Sequence, residues 1–399
     1  VSRDLASWLC LVLLCWPAGA GAQMLDDLLP VTIPGFAPGA PALTPRQGRA
    51  LGATGWRFGT LSLSPTLSAT SGYDSAPNGA AGSMLVQLSP SLAVSDPVAG
   101  FGAYALVSPS LYPQDQPQSS TMAALAVGQG FTMARQTLTL AGGFVRGAET
   151  GFAIGAGSLA RPLPFTLSQI RLNDAITQAA LTITPELSAS LLRFPDAPAQ
   201  DRSDLRPALR LAYNDGAPVS YLLALRGDLS DGRIVAQDAT NLALLGGVRE
   251  QASGLWSVSV LAGGAGRLPR QGPALLTPAL EIRLDWAPDR LDELRLNLVR
   301  ELDDPDRVSA LPYTLSAAKF TLLRAGLQQL SFKAQGEVSQ ADYLHGDLRE
   351  TLVNLGATVA WQLSPFLALE LRYGFNDRQS PQLGAANEHV MTMGVSWTP

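Results

Sequence analysis

Most of the side chains in this sequence that could do chemistry are charged, and they recur at every second position. Glu281, Arg283 and Asp285 are set against Leu280, Ile282, Leu284 and Trp286, and Glu293, Arg295, Asn297 and Glu301 against Leu294, Leu296 and Leu298. Arg206, Arg210, Arg226, Asp228, Lys333, Glu337, Glu370 and Arg372 keep the same parity. Successive side chains of a strand point to opposite faces, so a period of two gathers this charge on one face and leaves the other to leucine. Such a face has two uses. It can line an aqueous path and bias which solutes pass, or it can hold a wall together through cross-strand pairs contributing about 0.2–1 kcal/mol each. Adjacent opposite charges serve both.

Other chemistries are poorly provided for. His345 has Asp347 nearby and His389 follows Glu388, the parts of a nucleophile–His–acid or Asp–His site, but no spacing in the sequence assembles them. Both are expected in solvent or at a rim. No HExxH, P-loop, GxSxG or dinucleotide fingerprint stands in a supporting context. Asp303, Asp304 and Asp306 lack the glycine and terminal glutamate of an EF-hand loop. The two cysteines, Cys10 and Cys15, both fall in the N-terminal apolar run, which leaves the rest of the chain without thiolate, disulfide or Cys-metal chemistry. No enzyme activity, catalytic residue, metal or cofactor is expected. A net charge of −5 over 399 residues provides no broad basic surface, so nucleic acid is not an expected partner.

The strands that carry the charges are clearest at the end of the chain. Thr351, Val353, Leu355, Ala357, Val359, Trp361 and Leu363 form one face; Leu367, Leu369, Leu371, Tyr373 and Phe375 repeat the pattern; Met391, Met393, Val395 and Trp397 close it. In water such faces need a covering layer, and no amphipathic helix is available to supply one. Lipid is the natural cover. A lipid-exposed sheet cannot leave an edge unpaired, so the last strand must meet the first in a closed barrel. A charged fraction of 15%, against roughly 25% in soluble domains, agrees with this. Trp361, Tyr373, Phe375 and Trp397 fall where aromatic girdles meet the two interfaces. Arg300 breaks parity, lying on the same face as Leu294 and Leu298, and is expected near the outer rim.

Residues 1–22 read as a secretory signal ending in Ala20-Gly21-Ala22, and 23–52 as a proline-rich periplasmic extension in which Leu25, Leu28, Leu29 and Val31 can tuck into the barrel mouth. The barrel is expected over 53–399. From Trp56 onward, connections alternate between short and long. Short turns are expected at Asp96-Pro97, Ala134 to Gln136, Thr184 to Glu186, Asn214 to Gly216, Gln251 to Ser253, Ala287 to Arg290, Arg324 to Gly326 and Ser364-Pro365, and the last long loop at Asn376 to Asn387. The fold class is therefore all-β, a transmembrane antiparallel up-and-down barrel of about eighteen strands. Sixteen is the second count, because glycine- and proline-rich Thr150 to Asn173 leaves the number open there.

Ser64-Pro65-Thr66-Leu67, followed by Ser71-Gly72-Tyr73-Asp74-Ser75-Ala76-Pro77-Asn78, resembles the opening strand and first loop of the outer-membrane β-barrel porin family often found beside exopolysaccharide genes, and the rhythm from Tyr313 to Trp397 is similar too. Members commonly end on the aromatic residue, whereas this chain adds Thr398-Pro399. The resemblance implies a porin-like barrel in the Gram-negative outer membrane, and an even strand number is expected to leave both termini in the periplasm. The implied partners are outer-membrane lipid and lipopolysaccharide, the barrel-assembly machinery and polysaccharide-export components. The polar faces mix acids and bases with Ser, Thr, Gln and Asn, which suits hydrophilic, hydroxyl-rich solutes of the saccharide type, and the resemblance points the same way. An occluded structural or binding barrel is the alternative.

Overall fold

The computed structural model describes residues 33–36, 55–154, 161–233, 238–252, 255–270, 273–289, 291–303, 312–326, 329–344, 348–381 and 384–399. A three-residue strand, β1 (Trp56–Phe58), folds back at Gly59 onto the start of β2 (Leu61–Asp74). Then come β3 (Ser83–Asp96), β4 (Phe101–Leu111), β5 (Ser120–Met133), β6 (Gln136–Glu149), β7 (Leu163–Gln178), β8 (Leu181–Arg193), β9 (Arg202–Tyr213) and β10 (Val219–Gly232). The second half comprises β11 (Ala239–Ala252), β12 (Trp256–Pro269), β13 (Leu275–Trp286), β14 (Asp292–Asp303), β15 (Tyr313–Ala325), β16 (Leu330–Tyr343), β17 (Arg349–Ser364), β18 (Leu367–Ser380) and β19 (Gly384–Trp397).

Each strand from β2 to β19 pairs antiparallel with its sequence neighbours, and β19 pairs with β2 from Trp397↔Leu67 to Val390↔Asp74. The result is a closed barrel of eighteen strands without a free edge. β6 and β7 form a single hairpin paired from Glu149↔Leu163 to Gln136↔Ile176, so the eighteen-strand count holds through the ambiguous stretch.

Register fixes the faces. Leu88, Leu125, Leu140, Ile170, Leu205, Leu225, Leu244, Val260, Leu371 and Met393 are all exposed on the outside. An apolar belt of this extent has no protein cover, and lipid is the medium that offers one. Phe58, Tyr213, Tyr221, Trp286, Trp361 and Trp397 gather at the short-turn end of the belt, and all are exposed.

Two connections differ from those expected. Thr184–Glu186 lies inside β8, where Pro185 pairs with Leu209, and the turn is two residues at 179–180 with Ala179 at φ 53°. Proline is tolerated here because the β7–β8 ladder skips it, pairing Asn173↔Glu186 and next Ile176↔Ile183. The stretch from Asn376 to Asn387 is not a long loop. β18 and β19 stay paired through Asn376↔Glu388, Asp377↔Asn387 and Ser380↔Gly384. Beyond the apolar belt a hairpin holds through its backbone and needs no alternation of leucines, so sequence pattern missed it.

The interior is not uniform. On β4 to β8 it is apolar: Ala124, Ala126, Ala141, Val145, Phe165, Leu167 and Leu192 are buried, with Tyr104 and Leu106 packed against them. The turn Ile33–Phe36 completes this cluster, and Ile33 and Phe36 are each 1% exposed. Four residues of the stretch expected as a periplasmic extension thus lie inside the barrel wall. Burying two side chains of this size contributes on the order of 1.5–3 kcal/mol each. Leu25, Leu28, Leu29, Val31 and the signal at 1–22 fall outside the described residues.

Candidate channel lining

The charged wall is built by β8 to β18, whose interior positions alternate with the exposed leucines. Arg206 donates from Nε to Asp228 Oδ2 at 3.0 Å, across one strand pair. Arg210 Nε stands 3.4 Å from Glu186 Oε1. Glu281 is the centre of the next group: it receives Arg226 from β10, two strands over from its own neighbour, and Arg283 Nε at 2.8 Å from its own strand. Arg295 pairs with Glu293 and lies 4.0 Å from Asp285. Glu337 meets Lys319 at 3.2 Å, and Glu370 meets Arg372. Lys333 sits on the same face, opposite Leu323 and Thr358. The charged residues singled out from parity, Glu301 among them, therefore take interior positions. The structure brings Arg210, Arg226, Glu281 and Arg283 to one cavity of about 500 Å³, which Arg206, Asp228 and Glu337 also line. Asp285, Glu293, Arg295, Lys333, Glu370 and Arg372 stand away from it on the same wall.

Several interior charges escaped the parity reading. Arg171, Glu186, Arg202 and Lys319 line the same cavity, beside Glu301, which parity had already placed on this face, and Arg202 Nε is 3.0 Å from Asp204 Oδ1. Alternation carried the signal for Arg171, between Ile170 and Leu172, and for Glu186, beside Leu187; Arg202 stands between Asp201 and Ser203, where no apolar neighbour marks the outward face. Arg300 takes the outward parity of Leu298 and donates from Nη1 to Ser316 Oγ at 2.8 Å.

The long-loop mouth is drawn inward on one side. Gly151, just after β6, donates its amide to Asn78 Oδ1 at 3.0 Å, and its carbonyl accepts from Arg378 Nη1. Asn78 in turn donates to Gln118 Oε1 at 2.8 Å. Arg378 Nε stands 3.8 Å from Glu350 Oε1, and Glu350 Oε2 accepts from Tyr343 at 2.9 Å. Phe152 and Ala153 are buried, and Ile154 reaches the cavity. A polar band thus ties β16–β18 to the loops after β2 and β4 through one inward loop. Beside it Tyr112 donates to Asp74 Oδ2 at 2.8 Å, and burial together with that carboxylate pushes its phenol above the usual range, which keeps it a donor.

His389 is no site. It faces outward, its Nδ1 is 2.8 Å from the Tyr373 hydroxyl, and its ring is 5.0 Å from that of Phe375. His345 and Asp347 fall outside the described residues, as do Asp304 and Asp306. Among the described residues no group of three or more His, Cys, Asp or Glu is placed to hold a metal ion.

No protein-family model and no curated protein matches the chain. Solved structures with a similar course include OccK2 (OpdF) of Pseudomonas aeruginosa, 14% identical, with 85% of this chain and 97% of that one covered and a TM-score of 0.45. OpdK of Pseudomonas aeruginosa with vanillate is 10% identical, with 85% and 98% covered and a TM-score of 0.46. The siderophore receptor PirA of the same organism is 10% identical, with 84% and 80% covered and a TM-score of 0.40. Likeness at this level leaves the functional reading to the chain's own residues.

Proposed function

We propose that this chain is a porin-type channel of the Gram-negative outer membrane, with both termini in the periplasm, through which hydrophilic, saccharide-like solutes pass passively. The observation that carries this reading is the division of the closed wall: apolar side chains cover its outside, and the inside sets acids and bases in pairs around a cavity. A lumen of paired charges offers donors and acceptors to sugar hydroxyls without a large net field, so its preference between small cations and anions is slight. A ring of one sign would have favoured ions. The resemblance to barrels beside exopolysaccharide genes supports the saccharide class, and lipopolysaccharide, the assembly machinery and polysaccharide-export components are the partners that go with it. No enzymatic role is proposed.

A second reading, an occluded binding or structural barrel, is favoured by the inward loop at Gly151 and the turn Ile33–Phe36, both of which take lumen space. Purified protein in a planar bilayer separates the two. The channel reading expects stepwise conductance, little reversal potential in a salt gradient and current block by oligosaccharides. If neither the intact chain nor a version lacking Gln23 to Arg49 conducts, the lumen is occluded and the channel reading falls.

A further inference from the structure

The apolar wall poses a problem that the channel alone does not answer. A water-filled lumen has no use for a buried patch containing Val145 at 0% and Ala126 at 1% exposure. What covers the patch is the turn Ile33–Phe36, and the fit is made by backbone as well as by side chains. A Cβ on Gly128 of β5 would stand 2.0 Å from the Pro34 carbonyl oxygen, so only glycine lets the turn approach there. Gly35 adopts φ +83° against Ala141, a conformation and a clearance that a side chain would spoil. The guanidinium of Arg171 lies 5.0 Å over the Phe36 ring, an arrangement that holds a cation at the edge of an apolar seat. Gly35 also lines the cavity of the charged wall, together with Ile154 of the inward loop. The cavity therefore lies between this turn and the group around Glu281.

From this we infer that the N-terminal turn Ile33–Phe36 is a resident element of the channel, seated in a niche shaped for it on β5 to β8, and that it sets the bore and hence the largest solute that passes. The inference rests on the channel reading and adds to it the residues that determine size selection. The volume left beside the turn lies within the roughly 300–1,000 Å³ of sites that hold one drug-sized molecule, the scale of a short oligosaccharide.

The only cysteines of the sequence are Cys10 and Cys15, so a single engineered thiol reports the seat. In an Ile33→Cys protein carrying Cys10→Ser and Cys15→Ser, a membrane-impermeant maleimide should react slowly, and adding Gly128→Leu should make the reaction fast. Gly128→Leu and, approaching from the other side, the double variant Ile33→Asp/Phe36→Asp should both raise unit conductance and shift the cut-off for oligosaccharide passage to longer chains. Heat-dependent gel mobility verifies that each variant is a folded barrel. Fast labelling of Ile33→Cys without Gly128→Leu overturns the seating. A labelling switch with conductance and cut-off unchanged overturns the control of bore alone, and a switch without conductance in any variant overturns the bore and the channel together.

Discussion

Glu281 is the residue on which the charge balance of the lumen turns. It is 6% exposed, accepts from Arg226 and forms an ion pair with Arg283, while Arg210 lies close enough to line the same cavity. Replacing it with glutamine keeps the shape and hydrogen-bonding capacity but leaves Arg226 and Arg283 without their shared anion. Glu281→Gln should therefore turn a nearly unselective channel toward anions, read as a reversal potential of anion-selective sign in a potassium chloride gradient. Arg283→Ala removes one of two cations from a carboxylate that keeps the other. Its effect should be smaller and of opposite sign, with a loss of stability of about 1–3 kcal/mol. An unchanged reversal potential in both variants would reduce the cluster to a structural ladder.

Among the elements, the connection from β8 to β9 depends on one carboxylate. Asp201 accepts from the Phe194 amide at 2.8 Å and from Arg193 at 3.1 Å, and Arg233 reaches it at 3.0 Å. Burial alone would raise its pKa, but the Phe194 amide and the two guanidiniums outweigh that and hold it below the usual carboxylate value. A depressed folded pKa stabilises the connection above the unfolded value of about 3.9, and that stabilisation is lost as pH falls through the folded value. Hydrogen exchange at the Phe194 amide, corrected for its intrinsic rate, should accelerate in this acid range. It should be fast at all pH values in Asp201→Asn. Protection that is the same in the wild type and in Asp201→Asn at every pH would refute the assignment.

At the scale of the whole molecule, the barrel stands on the opposite demands of its two faces. Leu88 and Gln87 are neighbours on β3: Leu88 is 45% exposed on the outside, and Gln87 donates inward to Ser108 Oγ at 2.9 Å. An arginine facing lipid near the midplane costs about 2–4 kcal/mol, whereas an arginine in the lumen loses only a hydrogen bond of about 0.5–1.5 kcal/mol. Urea titrations of protein folded into lipid vesicles should separate Leu88→Arg from Gln87→Arg in that order. Equal costs would mean that the outer face is not in lipid.

The class of fold, the parity of the charged wall and the closure of β19 onto β2 were legible in the chain, because a period of two is a local property and a lipid-covered sheet admits no edge. Arg206, Glu281 and Arg372 declared their face through the leucines beside them. The pairing of particular charges was not legible: Arg226 reaches Glu281 from a strand that is distant in sequence, and only register brings them together. The outer halves of β18 and β19 escaped because backbone pairing above the belt leaves no hydrophobic signature. The seat of Ile33–Phe36 escaped for a related reason. Strands apolar on both faces, such as Ala124 to Val127, announce that something must cover their inner side, but the covering segment lies about ninety residues earlier in the chain, and its place is decided by shape complementarity at Gly128 and Gly35 that exists only once the barrel has closed.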